Sequence, residues 1–482
     1  MLSTVQRFAR DVGFSFTSLA VVGLVGFILR IFLARYLGAG DLGLYTLTHS
    51  VYSFGILFSA FGIGNALTKY VAELKEDTPR TNFLITSGVI TVLAIGCAIG
   101  LVVYVFSSAI ANLLDMPGLT GLLRILVFAF PFAALELAIL GYLNGLRRMR
   151  LFAFISIARS LLAIILTVAL VLCGYGLVGA IAAFALSIVI LSLFALLSIR
   201  KSLAIPALAQ YAPALKTLLV FGGYQILANS IGTIRLYTDS LMIGYFMTET
   251  NVGYYSVAIM LPTAIRMIPR ALSMITNPIM STYWGRGEVD KIEDLINRIM
   301  KYAAALLIPV SFVVVFLAEP IITLIFGATF TPAVFPLQML LIGAVGMGIL
   351  ASVGTALSST AYVSILFKLG GATVVMNIIL NLLLIPRWGI NGAAMATTLS
   401  RLIMILLTVY FMQRLIGIKI QLRWFAKLFS FAIVLAAATY GLGLVVSYYI
   451  CVPIAVIVLI LVLVKYFLPR EDLRLIRNIG LR

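Results

Sequence analysis

The sequence predicts an all-α polytopic membrane protein of about fourteen transmembrane helices, with both termini in the cytoplasm. Composition is the first of three observations behind that reading. Of 482 residues, 63% are hydrophobic and 10% are charged, whereas a soluble domain carries about 25% charge. The second observation is that the apolar residues fall in runs of bilayer length, roughly 20 residues or more. The third is that basic residues gather in alternate short loops, as retention of positive charge in the cytoplasm requires.

The runs, in order, are 12–37, 42–70, 83–110, 120–143, 151–173, 177–199, 215–247, 251–282, 298–318, 334–357, 362–385, 390–413, 425–446 and 448–468. Some, such as 215–247, exceed the bilayer length and need tilt, kinks or extension into water. The first run follows Arg7 and Arg10, contains Arg30 and lacks a small-residue cleavage site at the right distance. It is expected to be a retained helix, not a cleaved signal peptide. The external loops are only a few residues long, as in Gly38-Ala39-Gly40-Asp41, Cys173-Gly174-Tyr175-Gly176 and Thr248-Glu249-Thr250-Asn251. The polar segment 284–298 is expected to form a short cytoplasmic surface helix. Cys97, Cys173 and Cys451 are far apart, in or near apolar runs. They show neither metal nor disulfide spacing and read as small packed residues, and no cofactor is expected.

Charge placement tests the span count. With the N-terminus inside, twenty-five of the 34 basic residues fall on the cytoplasmic side. Arg35, Arg124 and Arg387 fall outside, and six arginines lie within spans. The net charge of +18 therefore reflects topology rather than a nucleic-acid groove.

Two echoes divide the chain. Ala34 to Tyr45 contains a polar turn and then Gly43-Leu44-Tyr45; Gly244 to Tyr255 repeats the pattern and closes on Gly253-Tyr254-Tyr255. Gly174-Tyr175-Gly176-Leu177-Val178-Gly179-Ala180 is echoed by Arg387-Trp388-Gly389-Ile390-Asn391-Gly392-Ala393. The offsets are about 210 and 213 residues. They predict two six-helix bundles, 1–200 and 215–414, followed by two extra helices over 425–468 and a basic cytoplasmic tail, 469–482. An even number of spans separates the halves, so the repeat is parallel, a transporter architecture with its site between the halves. Chance similarity of Gly-rich hairpins is the alternative.

Arg30, Arg159, Arg235, Arg266, Arg270 and Arg401 lie within spans, and only Glu136 and Asp239 lie at comparable depth. A charge near the bilayer centre costs at least ~2.5–3.5 kcal/mol on insertion scales. Six buried charges of one sign against two of the other predict a wet, positive cavity suited to an anion. Arg266 and Arg270 are four residues apart, on one helix face, with Pro262 and Pro269 beside them. Paired guanidiniums suit pyrophosphate oxygens; the alternative is a structural pair reaching towards the cytoplasm.

The stretch Leu29-Arg30-Ile31-Phe32-Leu33-Ala34-Arg35-Tyr36-Leu37-Gly38, then Gly43-Leu44-Tyr45, then Gly62-Ile63-Gly64-Asn65-Ala66-Leu67-Thr68-Lys69-Tyr70-Val71-Ala72-Glu73, resembles the polysaccharide-transporter family. The stretches Tyr237-Thr238-Asp239 and Gly253-Tyr254-Tyr255-Ser256-Val257-Ala258 fit the same family. It belongs to the multidrug/oligosaccharidyl-lipid/polysaccharide exporter superfamily. The resemblance spans nearly the whole chain, in order. Fourteen spans resemble the peptidoglycan-lipid flippases rather than the twelve-span drug exporters. The resemblance implies that the helices over 425–468 help form a groove for a prenyl tail. It also implies cavity-lining cations on the first, second and eighth helices, where Arg30 and Arg266 fall by span order.

The remaining candidates carry two readings each. Arg235 and Asp239, four apart on the seventh span, form an internal ion pair, or Asp239 is a gate or cation-coupling carboxylate. Glu136 and Arg159, on adjacent spans, can pair in the same way. His49, the only histidine, either senses protons or binds substrate, or is a hydrogen-bonded packing residue. Gln225 and Asn229 share a face and either bind sugar hydroxyls or bond between helices. Arg35 reads as an interfacial anchor or a partner for Asp41, and Arg401 has no assigned partner. Asn65, Lys69 and Glu73 mark the cytoplasmic mouth.

The leading expectation is a flippase of the cell membrane. It would move a polyprenyl phosphate or pyrophosphate glycan from the cytoplasmic to the outer leaflet by alternating access. Its partners would be that glycan lipid, membrane lipids and a coupling ion, Na+ or H+, and it would act as a monomer. No Walker-type loop is present, so the driving force is an ion gradient, membrane potential or consumption of product. A multidrug exporter of the same superfamily predicts a carboxylate-dominated cavity instead. A polymerase or ligase predicts a large external catalytic loop; the short loops argue against such an enzyme.

Overall fold

Helix follows helix along the chain because an apolar backbone can satisfy its own hydrogen bonds in lipid only in that form, or in a closed barrel. The computed structural model describes residues 4–74, 77–204, 208–265, 267–360 and 362–467; side chains are described there except at 4–12, 15–16, 208–210, 267–272, 274–275 and 363. Among the described residues there is no strand. Within those residues nine helical runs are long and apolar enough to cross a membrane, or ten with one bent pair counted as a span.

Three of these runs are too long for one crossing. Thr17–Ser59, Met149–Ser198 and Ser364–Ile416 contain 43, 50 and 53 residues. At 1.5 Å per residue they would measure roughly 65–80 Å, against a hydrocarbon core of ~30 Å. Each is broken near its middle, at Gly38, at Gly174 with Gly176, and at Gly389. The breaks coincide with the turns expected from sequence.

The chain forms two contact units, 1–253 and 254–482. The first holds α1 (Thr4–Ser59), α2 (Ile63–Glu73), α3 (Thr78–Leu113), α4 (Gly118–Leu126), α5 (Ala129–Gly145), α6 (Met149–Leu170), α7 (Gly176–Ser198), α8 (Leu208–Phe246) and the start of α9 (Glu249–Ala258). Its core gathers Ile63, Leu67, Ile85, Ala138, Ile139 and Leu143 from α2, α3 and α5. Small residues let these helices approach closely, the usual basis of packing in lipid. A Cβ on Gly64 would lie 2.6 Å from the Leu137 carbonyl oxygen, and Thr68 donates to the Gly141 carbonyl at 2.9 Å. Helices α4 and α5 meet at a bend of 43°.

The second unit continues α9 and adds α10 (Met260–Ile265), α11 (Met267–Gly285), α12 (Val289–Phe316), α13 (Ala318–Phe326), α14 (Val334–Ile349), α15 (Ala351–Ser358), α16 (Val363–Ile416), α17 (Leu422–Gly443) and α18 (Tyr448–Val462). Residues 417–421 run outside any helix between α16 and α17 and are fastened to α12. Asn297 donates to the Lys419 carbonyl at 3.0 Å and accepts from the Gln421 amide at 3.1 Å, and Glu293 accepts from the Lys419 amide at 2.8 Å. These bonds satisfy backbone groups that the missing helix leaves open.

Two local expectations are corrected. Residues 284–298 form no separate surface helix: they are the end of α11, a turn and the first turns of α12. After the turn α12 runs on unbroken, because Ile292, Ile296 and Asn297 give its first turns a buried face continuous with the apolar helix that follows. Of the three cysteines only Cys451 is packed; Cys97 and Cys173 lie on the outer surface of the protein.

The echoed glycines share a backbone state. Gly176 has φ 51° and ψ −136°, and Gly389 has φ 58° and ψ −136°. Only glycine adopts that region without strain. Three residues later in each unit, a Cβ on Gly179 would crowd Leu170, and one on Gly392 would lie 2.6 Å from the Leu384 carbonyl carbon.

Candidate functional site

The first unit gathers charge and aromatic surface around α1. Beyond its break at Gly38, Tyr45, His49 and Tyr52 follow at helical spacing and share a face. Phe184 of α7 and Tyr237 of α8 complete a collar around His49. Ring centroids lie 6.3 Å away for Tyr45, 5.8 Å for Tyr52, 5.3 Å for Phe184 and 6.2 Å for Tyr237. The His49 imidazole is half-buried, and its Nδ1 is covered with no hydrogen-bond partner.

Two arginines act on this collar. Arg30, half-buried on α1, lies within electrostatic reach of Tyr45 and His49. Arg159 of α6 reaches His49 and Tyr52 electrostatically from another side. Its Nε is 2.9 Å from Glu136 Oε1 of α5, and the Glu136 side chain is only 7% exposed. The pair offsets the cost of holding each charge in a dry environment. Glu136 also lies within electrostatic reach of Tyr52, so one chain of groups runs from Arg30 through the collar to Glu136.

The other candidates are spread more widely. Asp239 on α8 is buried and Arg235, one turn earlier, is half-buried; both have polar partners. Gln225 approaches Asn65 across α8 and α2, with Asn65 Nδ2 3.5 Å from Gln225 Oε1, whereas Asn229 is exposed. Lys69 sits 3.9 Å from Glu73 and over the rings of Tyr70 and Phe221. Arg35 is exposed and has a polar partner. In the second unit, Arg401 is buried on α16, with its stem against Gly343 of α14. Arg266 lies outside the described residues, and Arg270 falls on α11 at a position whose side chain is not described.

Around the collar, Arg30 and Arg159 stand against the single carboxylate of Glu136, a net positive balance. Such an interior favours an anionic group, and its aromatic faces suit ring or hydrocarbon surface. The sequence reading had singled out His49, Arg30, Arg159 and Glu136 but not the aromatic collar. The Tyr45–His49–Tyr52 stripe was open to a count of helical spacing; Phe184 and Tyr237, from distant spans, were not.

Known proteins resemble this chain in sequence and in fold. A probable flippase, AglR of Haloferax volcanii, is 24% identical over 402 residues, covering 82% of this chain and 81% of its own. A probable low-salt glycan biosynthesis flippase of the same organism, Agl15, is 26% identical over 206 residues. The chain covers 44% of Agl15 and 40% of an uncharacterized membrane protein, MJ1068, of Methanocaldococcus jannaschii, so these two matches span less than half of each relative. In fold, the chain is similar to the lipid II flippase MurJ in an inward closed conformation, with TM-score 0.76 at 17% identity, covering 96% of this chain and 99% of that one. An inward-facing MATE family transporter of the MOP superfamily follows with TM-score 0.66 at 16% identity, covering 83% of this chain and 98% of that one. The sequence profile of the polysaccharide biosynthesis protein family matches residues 32–335, and this multi-pass membrane protein belongs to that family.

Proposed function

We propose that the chain is a flippase that carries a lipid-linked glycan from the cytoplasmic to the outer leaflet. The observation that carries this reading is the positive interior of the first unit, where Arg30 and Arg159 act on the collar around His49. An uncharged or cationic cargo would gain nothing from it, whereas a polyprenyl phosphate or pyrophosphate brings the matching charge to the membrane. The named flippase relatives and the MurJ-like fold support the same reading. Arg266 and Arg270 are proposed to join Arg30 at the headgroup, with His49, Gln225 and Asn229 as further cavity contacts.

The same proposal gives the architecture. In this reading the three long runs divide at their glycine breaks and the bent pair and α9–α11 each cross once, which makes fourteen spans with both termini inside. Two six-helix bundles rock about the cargo while α17 and α18 hold the prenyl tail. The protein works as a monomer, driven by a Na+ or H+ gradient, the membrane potential or consumption of product.

The test is reconstitution into vesicles with a fluorescent polyprenyl-pyrophosphate disaccharide. Transfer between leaflets is read as protection from a membrane-impermeant quencher. Protein-dependent transfer that is lost in the Arg30→Ala variant is the expected result. No transfer by the wild type, combined with efflux of cationic dyes, would replace this reading with the multidrug exporter that the MATE-like fold also accommodates.

A further inference from the structure

A second polar feature lies in the second unit and has a different chemistry. The helices α11, α15 and α16 border a cleft of about 410 Å³, within the range of small-molecule sites. Ser273 and Asn277, one turn apart on α11, face Gly354, Thr355 and Ser358 of α15, with Leu366 of α16 beside them. Among the described residues, none that lines the cleft carries a charge.

Its polar atoms are partly engaged and partly open. Ser273 Oγ and Thr355 Oγ1 lie 2.8 Å apart, and the Thr355 hydroxyl also has the Ala351 carbonyl at 3.0 Å. Ser358 donates to the Thr355 carbonyl at 2.7 Å. Asn277 Oδ1 accepts from the Ser359 hydroxyl, which fixes the amide and leaves its two N–H groups as donors. Among the described residues, a Cβ built on Gly354 would meet nothing within 4 Å, so the glycine borders open space.

Among the described lining residues, a phosphate would meet no counter-charge and a cationic drug no carboxylate. Neutral donors and acceptors beside the apolar surfaces of Ala351, Gly354 and Leu366 match a sugar ring, which offers hydroxyls at its edge and C–H groups on its faces. We infer that the cleft between α11 and α15 is a sugar subsite for the glycan of the cargo. The inference rests on the flippase reading and adds a place where sugar hydroxyls, rather than the charged headgroup, are read.

Gly354 supplies the test, because substitutions there enter open space. Wild type, Gly354→Phe and Asn277→Leu are compared in vesicles with two probes, a polyprenyl-pyrophosphate disaccharide and sugar-free polyprenyl pyrophosphate. Gly354→Phe and Asn277→Leu are expected to slow the disaccharide probe about tenfold, the scale of losing a buried hydrogen-bond set, while leaving the sugar-free probe unchanged. Equal slowing of both probes, or of neither, would overturn the subsite. A wild type that moves neither probe would sink the flippase reading itself, a separate result.

Discussion

Gly43 and Gly253, 210 positions apart in sequence, pack backbone against backbone. A Cβ on Gly43 would stand 3.0 Å from the Gly253 nitrogen and overlap the Glu249 carbonyl, while one on Gly253 would overlap the Ala39 carbonyl. These are the glycines of the two echoed Gly-x-Tyr openings. The repeat is therefore a place of contact as well as a pattern, where α1 just past its break meets the start of α9.

Larger side chains at this crossing should separate the two helices. Gly43→Val and Gly253→Val are each expected to destabilise by about 1–3 kcal/mol, the usual cost of overpacking. Thermal unfolding in detergent would read this as a lower Tm for both. Gly121→Val, at a site open beyond 4 Å, is the control and should leave Tm near the wild-type value.

The glycine breaks at 176 and 389 should respond alike. Gly176→Ala and Gly389→Ala place a Cβ on a backbone that disfavours one, at a cost of about 1–2 kcal/mol each. Comparable Tm losses in the two variants are expected. Loss at one site alone would show that their shared torsions carry different structural weight.

The Arg159–Glu136 pair makes an asymmetric prediction. Arg159→Met leaves Glu136 buried without its cation and should destabilise by about 3 kcal/mol. The double variant Arg159→Met/Glu136→Leu removes both charges and should recover most of that loss. Tm and membrane protein levels measure fold, and leaflet transfer in the double variant asks whether the charge also serves cargo.

Acidity should act at the turn that follows Gly38. Partial burial, and then the nearby Glu249 carboxylate, raise the Asp41 carboxyl above the ordinary aspartate range. The folded protein thus holds this proton more tightly than the unfolded chain. The resulting stabilisation is full below the ordinary aspartate value and is lost as pH rises through the raised one. Tm should therefore gain from Asp41 on mild acidification from neutral pH. Asp41→Asn should raise Tm at neutral pH and flatten that part of the profile; an unchanged profile would refute the coupling to Glu249.

Much of the site's chemistry was legible before its geometry. His49, Arg30, Arg159 and Glu136 stood out because a polar side chain in an apolar run has an energetic cost that sequence displays directly. The aromatic collar did not stand out, because Phe184 and Tyr237 are ordinary residues of apolar runs until helices α7 and α8 bring them to α1. The cleft around Gly354 was equally silent, since serine, threonine and glycine are common in helix contacts within membranes.

The sequence by itself determined the class of the protein, its apolar runs, the glycine breaks and the excess of positive charge within those runs. Hydropathy, loop charge and glycine torsion are local properties, fixed by a residue and its near neighbours. Only the tertiary structure decided that Glu136 meets Arg159, that His49 sits within four rings, and that Gly43 touches Gly253. Those outcomes depend on the rotation and depth of each helix against its neighbours. Side-chain packing sets both, and no single span encodes them.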